Sequence, residues 1–328
     1  LVELDETGPA AGAGRKGRLL RFEPGAYRAV GVECEGRFAR VGLADMAGGV
    51  QARETIELGD FARTRDLSPL AAAIRRMCAA ANGAPVLGVC IGFPANLDPD
   101  AAAIVSYAAM DIQQPTSFAQ VFPAFWREVE LPVYLENDAN LACEGEAFLR
   151  RGAGGAANML YLSIGSGCGG AVRLDGKLRR GARCRAGEVG AMLLQPALGA
   201  PGRGAARETL EDAVCLAALE RRFGAALRDG AQPGEASAQA MRDYLCGPLS
   251  GAVYSLVMTL DVELCVLAGI VPGALGMQLC TQVSEALRAA LPESTPVRVE
   301  PSVSADAGVI GAAATVFERS LDALLGSG

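Results

Sequence analysis

Val133-Tyr134-Leu135-Glu136-Asn137-Asp138-Ala139-Asn140-Leu141-Ala142-Cys143-Glu144-Gly145-Glu146 is the stretch whose reading decides the fold. A short apolar strand, Leu131 to Leu135, gives way to an Asn/Asp cluster and then to a helix rich in Ala, Leu and Glu. Asn137, Asp138 and Asn140 hydrogen-bond readily to nearby backbone, so they favour a helix cap over a helix interior. The pattern puts a carboxylate and two amides at the carboxyl end of a strand, where open α/β sheets bind ligands. Asp138 could act as a general base toward a hydroxyl that Asn137 orients. The plainer alternative is that Asp138 only caps the helix.

Before this stretch the sequence is β-like over Ala29–Cys34, Phe38–Asp45 and the patch around Thr55-Ile56, with turns between. Three strands joined this way form an antiparallel meander. Apolar residues at helical spacing (Leu70, Ile74, Met77, Cys78) predict a helix over Leu67–Ala81, stopped by Asn82-Gly83. Val86–Phe93 reads as a buried strand, and Phe118–Val129 as a helix. A meander followed by alternating helix and strand points to a mixed α/β sheet.

After the stretch, Asn158–Ile164 is another strand running into Gly165-Ser166-Gly167-Cys168-Gly169-Gly170, with Asp175-Gly176 as a hairpin turn. A glycine turn of this kind lets backbone N–H groups approach phosphate oxygens, and a tight hairpin needs glycine equally. Glu188 follows, set between glycines in Ala186-Gly187-Glu188-Val189-Gly190. Gly199–Ala206 reads as a loop leading into a helix through Leu210 and Ala218. Further helices are expected between Ala236 and Ala290, with a strand at Val262–Leu267. Val297–Glu300 reads as a last strand, and Gly308–Ala314 opens a terminal helix.

Length and composition narrow the function. The 328 residues suffice for two domains or one large bilobal fold. Gly251–Ile270, the longest apolar stretch, is interrupted by Asp261 and Glu263, and no run reaches the ~20 uncharged residues of a membrane helix. With no leader-like start and ten cysteines scattered without a CxxC pair, the expectation is a reduced cytoplasmic protein with no membrane partner. A net charge of −7 argues against a free-standing nucleic-acid binder, and the absence of histidine removes the commonest metal ligand.

Together Glu136-Asn137-Asp138-Ala139-Asn140, Gly165–Gly170, Ala186–Gly190 and Asp306-Ala307-Gly308-Val309-Ile310-Gly311-Ala312-Ala313 resemble the ROK family of repressors and sugar kinases, in its order and spacing. The resemblance covers nearly the whole chain from about Gly14. It implies an α/β, actin-like, ribonuclease-H-like bilobal fold: two lobes, each with a mixed sheet flanked by helices, around a sugar and nucleotide cleft. Residues 19–134 with 306–328 would form the first lobe, 135–305 the second, and 1–18 a linker. In family kinases the position of Asp138 is the base that deprotonates the sugar, those of Asn137 and Glu188 bind it, and the turn matching Gly165, Ser166, Gly167 and Gly169 lies against ATP phosphates.

The departures favour the regulators. Where family kinases carry Asp-x-Gly-Gly-Thr, this chain reads Glu33-Cys34-Glu35-Gly36-Arg37, so Glu35 adds a like charge where an anion should sit. The later nucleotide signature is eroded to Leu267-Ala268-Gly269-Ile270. The histidine that family members place after Gly-Glu is Ala191. No cysteine occurs between Cys184 and Cys215, and Pro201-Gly202-Arg203-Gly204 stands in the family's zinc loop, so no zinc or other metal and no cofactor is expected. Leu1–Asp5 and Gly14–Phe22 resemble the join to a winged helix-turn-helix. The missing initiator methionine fits a fragment, so operator DNA would be contacted only through a domain absent from this chain. The expected function is a sugar-sensing, effector-binding and dimerisation domain of a transcriptional regulator, a homodimer without kinase activity. Asn137, Asp138, Glu188 and Glu211 would contact the sugar. The alternative is an ATP- and Mg-dependent sugar kinase with Asp138 as base; a third reading keeps the fold only as a dimerisation scaffold.

Overall fold

The computed structural model describes residues 2–7, 18–152, 155–194, 208–224, 227 and 232–325. It opens with a two-stranded antiparallel ribbon, β1 (Val2–Thr7) against β2 (Arg18–Arg21), so part of the expected linker is strand. Val2 and Leu4 alternate with Glu3 and Asp5, the period-two pattern of a strand. Residues 8–17 between the two strands lie outside the described residues.

The first sheet begins with the meander β3 (Arg28–Glu35), β4 (Phe38–Asp45) and β5 (Val50–Glu57). Two helices, α1 (Phe61–Thr64) and α2 (Ser68–Ala80), lead to β6 (Val86–Phe93), which pairs parallel to β3. A small separate sheet, β7 (Asn96–Asp98), β8 (Ala103–Ser106) and β9 (Thr116–Ser117), follows. The helix expected over Phe118–Val129 is two, α3 (Phe118–Val121) and α4 (Pro123–Glu128). Proline lacks the N–H to continue a helix and disfavours α geometry in the residue before it, so Phe122 leaves the helical region. Strand β10 (Val133–Asn137) then pairs parallel to β6, running two residues past the expected Leu131–Leu135. The first sheet thus extends to Asn137, beyond the boundary expected at residue 134.

Helix α5 (Asp138–Leu149) carries the chain to the second sheet, which repeats the pattern. Strands β11 (Met159–Ile164), β12 (Cys168–Leu174) and β13 (Lys177–Leu178) form an antiparallel meander. The helix expected through Leu210 and Ala218 is broken at Cys215, which is extended (φ −68°, ψ 162°), into α6 (Leu210–Val214) and α7 (Leu216–Phe223). The long α8 (Glu235–Leu260) packs on the sheet before β14 (Leu264–Ala268). Then α9 (Ile270–Leu275), α10 (Met277–Ala290) and β15 (Arg298–Pro301) complete the lobe, with β14 and β15 parallel to β11. The sheet orders β10-β6-β3-β4-β5 and β13-β12-β11-β14-β15 are the same topology twice: a meander, then two parallel strands on its first strand. This is the two-lobed α/β arrangement the resemblance implies.

The terminal helix α11 (Ala307–Leu325) returns to the first lobe and crosses α5. A Cβ on Gly145 would stand 1.8 Å from the Ala307 carbonyl oxygen, and one on Gly311 1.9 Å from that of Leu141. Only glycine permits so close a crossing. One side of α5 packs Leu141 against Ala312 and Val316; the other packs Ala139, Ala142 and Cys143 against β11 and β14. Helix α5 is therefore the wall shared by both lobes. Its buried Glu146 accepts from Val303 N–H at 3.0 Å and from Ser302 Oγ, while Arg150 reaches Glu300 and the Pro301 carbonyl. These bonds pin the crossing back from β15 to α11.

Candidate functional site

The cleft side of α5 starts from its cap. Asn137, not Asp138, is the N-cap: its Oδ1 accepts from Asn140 N–H at 3.2 Å and its Nδ2 donates to the Ala95 carbonyl at 3.2 Å. Capping is therefore done without the Asp138 carboxylate. Glu136, 3% exposed, accepts from Asn137 N–H at 2.9 Å and Asn140 Nδ2 at 2.8 Å through Oε1, and from Arg180 at 2.6 Å through Oε2. A buried carboxylate needs such partners, and its cation comes from the opposite lobe.

Glu33, Gly92 and Glu136 stand side by side on β3, β6 and β10. Gly92 has little room for a side chain: a Cβ would lie 3.3 Å from Asp138 Cα. Burial, then the charge of Glu33, drives the Asp138 carboxyl up to about 7, with N–H groups at the head of α5 partly offsetting them and Glu35 adding to the rise. Burial also raises Glu33, despite its 2.9 Å ion pair with Arg40. Glu33 Oε2 is buried without a hydrogen-bond partner. It lies against the first turn of α11, where a Cβ on Gly308 would meet it at 2.4 Å.

Across the cleft, the glycine turn is a tight hairpin between β11 and β12. The Cys168 N–H donates to Glu211 Oε2 at 2.8 Å, and Glu35 Oε1 is 3.5 Å from where a Gly165 Cβ would be. Glu211, expected at the sugar, is thus bonded to the glycine turn. Ser166 is exposed at its tip, and Gly169 faces Ala139 of α5. Gly187 (φ +97°) has the Gly170 carbonyl where a Cβ would be, 2.4 Å away, and so presents Glu188 next to it. Glu188 Oε1 meets the Asn96 amide nitrogen at 2.7 Å. The structure thus brings Asn137 to Ala95 and Glu188 to the adjoining Asn96, and bonds Glu211 to the glycine turn, which meets α5 at Ala139 beside Asp138.

The surroundings of the glycine turn are acidic: Glu35 stands beside Gly165, Glu211 takes the Cys168 N–H, and Glu33 lies at the head of α11 with one oxygen unpartnered. Among the described residues no group of three His, Cys, Asp or Glu side chains could hold a metal ion. Pro201-Gly202-Arg203-Gly204 lies outside the described residues. Nor is any helix among them long and apolar enough to cross a membrane. All ten cysteines are free, most of them buried.

Three site residues carry no signature in the sequence. Glu136 stood inside the quoted motif without a role, Arg180 pairs with it from 44 positions away, and Asn96 meets Glu188 from 92 away. Long-range partners leave no periodic trace; only the burial of Glu136 within an apolar strand hinted at a missing cation.

A family model described as the ROK family matches residues 29–319. A glucokinase of Halalkalibacterium halodurans is 34% identical over 141 residues, 41% of this chain and 40% of that protein, so the match spans well under half of that relative. Among solved structures, a ROK hexokinase from Thermus thermophilus superposes with a TM-score of 0.68 at 25% identity, covering 90% of this chain and 99% of that one. A ROK family transcriptional regulator, a homologue of the E. coli MLC protein, gives 0.71 at 17% identity, covering 92% and 80%, a likeness of fold.

Proposed function

The chain belongs to the ROK family, and from that premise we propose that it is the sugar-sensing, effector-binding and dimerisation part of a ROK-type transcriptional regulator, without kinase activity. Both kinases and a regulator stand among its relatives, so the site has to discriminate. The observation that carries the reading is the acidic crowding where a phosphoryl donor would lie. Glu33 fills the recess at Gly308 with an unpartnered oxygen, Glu35 flanks the glycine turn, and Glu211 takes the Cys168 N–H. A base has little to do if the donor cannot be held in line. On the sugar side Asn137, Asp138 and Glu188 keep hydroxyl-binding chemistry. Lobe closure on a sugar would shift a dimer between DNA-competent and incompetent states, operator DNA being bound by a domain outside this chain.

One observation favours a second reading, an ATP-dependent sugar kinase. An Asp138 carboxyl near 7 is matched to general-base work at neutral pH. A thermal-shift series against hexoses, amino sugars, pentoses and sugar phosphates, with and without Mg-ATP, separates the two. A sugar at 100 times its Kd adds about 2.7 kcal/mol. The sensor reading expects stabilisation by one sugar class and none from Mg-ATP. Added stabilisation by Mg-ATP, followed by turnover, would replace it with the kinase.

A further inference from the structure

The side of the cleft that holds Glu188 is bridged by the protein's own polar groups. Asn96, at the start of β7 in the first lobe, turns its amide nitrogen to Glu188 Oε1 at 2.7 Å and to the Cys184 carbonyl at 3.1 Å, and its oxygen accepts from Ser106 Oγ at 3.0 Å. The opposite amide orientation would set two oxygens against each other across the 2.7 Å gap. A second grip comes from the same loop of the second lobe, where Arg180 meets Glu136. Between the grips the loop has left-handed backbone at Gly181, Cys184 and Gly187, so its path from Arg180 to Glu188 is closely specified.

We propose that Asn96 is an internal stand-in for the effector, holding Glu188 until a ligand hydroxyl takes its place. The proposal deepens the sugar-sensing reading, on which its ligand class rests. An amide N–H and a sugar hydroxyl are both single donors to a carboxylate oxygen, and the Asn96 amide fills the gap between Glu188 and Ser106. A sugar that engages Glu188 therefore exchanges one hydrogen bond for another and loosens β7 from the loop, Asn96 keeping there only its bond to the Cys184 carbonyl. The Arg180–Glu136 pair keeps the loop docked during the exchange. Occupancy is then read as the loss of one interlobe contact and the retention of the other, and Asn96 sets the affinity threshold.

The test is hydrogen exchange on the chain without ligand, followed by calorimetry with glucose and xylose as probes. Asn96→Ala, which removes two hydrogen bonds to the loop, is expected to speed exchange of amides in 179–190 by about fivefold or more, with the α2 amides unchanged as a control on folding. Asn96→Asp, which keeps the shape and sets a carboxylate against Glu188, is expected to do the same. Unchanged exchange in both variants overturns the proposal. If either sugar binds the wild-type chain, Asn96→Ala should bind it several-fold tighter; equal affinity removes the stand-in and leaves the sugar-sensing reading standing. Faster exchange with neither sugar bound supports the stand-in and counts against those two sugars as effectors.

Discussion

The two sides of the cleft use the same kind of residue to opposite ends. At the cap of α5, Glu136 is buried and surrounded by donors: Asn137 N–H, Asn140 Nδ2 and Arg180. On the other side, Glu33 is held by Arg40 through one oxygen, has no partner on the other, and shares its surroundings with Glu35, Asp138 and Asp306. A carboxylate supplied with donors is a fastening between lobes. One crowded by like charges is an obstacle to any anion. The same row of three parallel strands therefore builds a joint at Glu136 and a barrier at Glu33.

The contrast is broken most sharply by removing the cation from the joint. Arg180→Met would leave the nearly inaccessible Glu136 carboxylate unpaired. Loss of one partner of a buried pair costs ~3–5 kcal/mol; because Arg180 is itself partly exposed, about 2–3 kcal/mol is expected in urea denaturation. Adding Glu136→Gln should recover a good part of that, since a neutral amide does not need the guanidinium. Equal losses in the single and double variants would mean that the pair is not the fastening.

The barrier is tested by making it collide. Gly308→Ala places a Cβ 2.4 Å from Glu33 Cδ, so the carboxylate or the head of α11 must move. Overpacking of this kind costs about 2 kcal/mol. In a Glu33→Ala background the space is empty and the cost should fall below about 0.5 kcal/mol, a coupling that a double-mutant cycle reads directly. An uncoupled result would show that Glu33 does not fill the recess.

Which parts of this were legible in the sequence follows from how local their causes are. The strand-to-helix join at Asn137-Asp138 was readable because Asn and Asp caps act within three residues. The meander was readable because its turns, Gly36 and the Gly48-Gly49 pair, announce themselves. The breaks at Phe122 and Cys215 were missed because helical spacing of apolar residues carries through a one-residue interruption. For Glu211 the sequence pointed to the helix beyond the loop; its bond to the Cys168 N–H is a long-range contact that no spacing rule announces. That Asn137 rather than Asp138 is the cap needed backbone geometry, since either residue type serves.

The smallest expected effect bears on Asp138, which stands where joint and barrier meet. Its carboxyl is raised to about 7 by burial and by Glu33 beside it. In the unfolded chain it titrates in the ordinary aspartate range, so between about pH 4 and pH 7 the folded state holds a proton that the unfolded state has lost. Stability should therefore decline as pH rises through that window, and the deficit should be complete above pH 7. Carried in full the displacement would amount to about 4 kcal/mol. The Asp138 side chain is partly open to the cleft, however, and solvent screening brings the expected figure to about 1 kcal/mol. Asp138→Asn should lose most of this decline and be the more stable protein at pH 8. A remainder is expected from Glu33, which is raised in the same direction, and Glu33→Gln should remove it. If Asp138→Asn instead keeps the full slope from pH 5 to pH 8, the like-charge crowding does not reach the sugar side, and the barrier ends at Glu33.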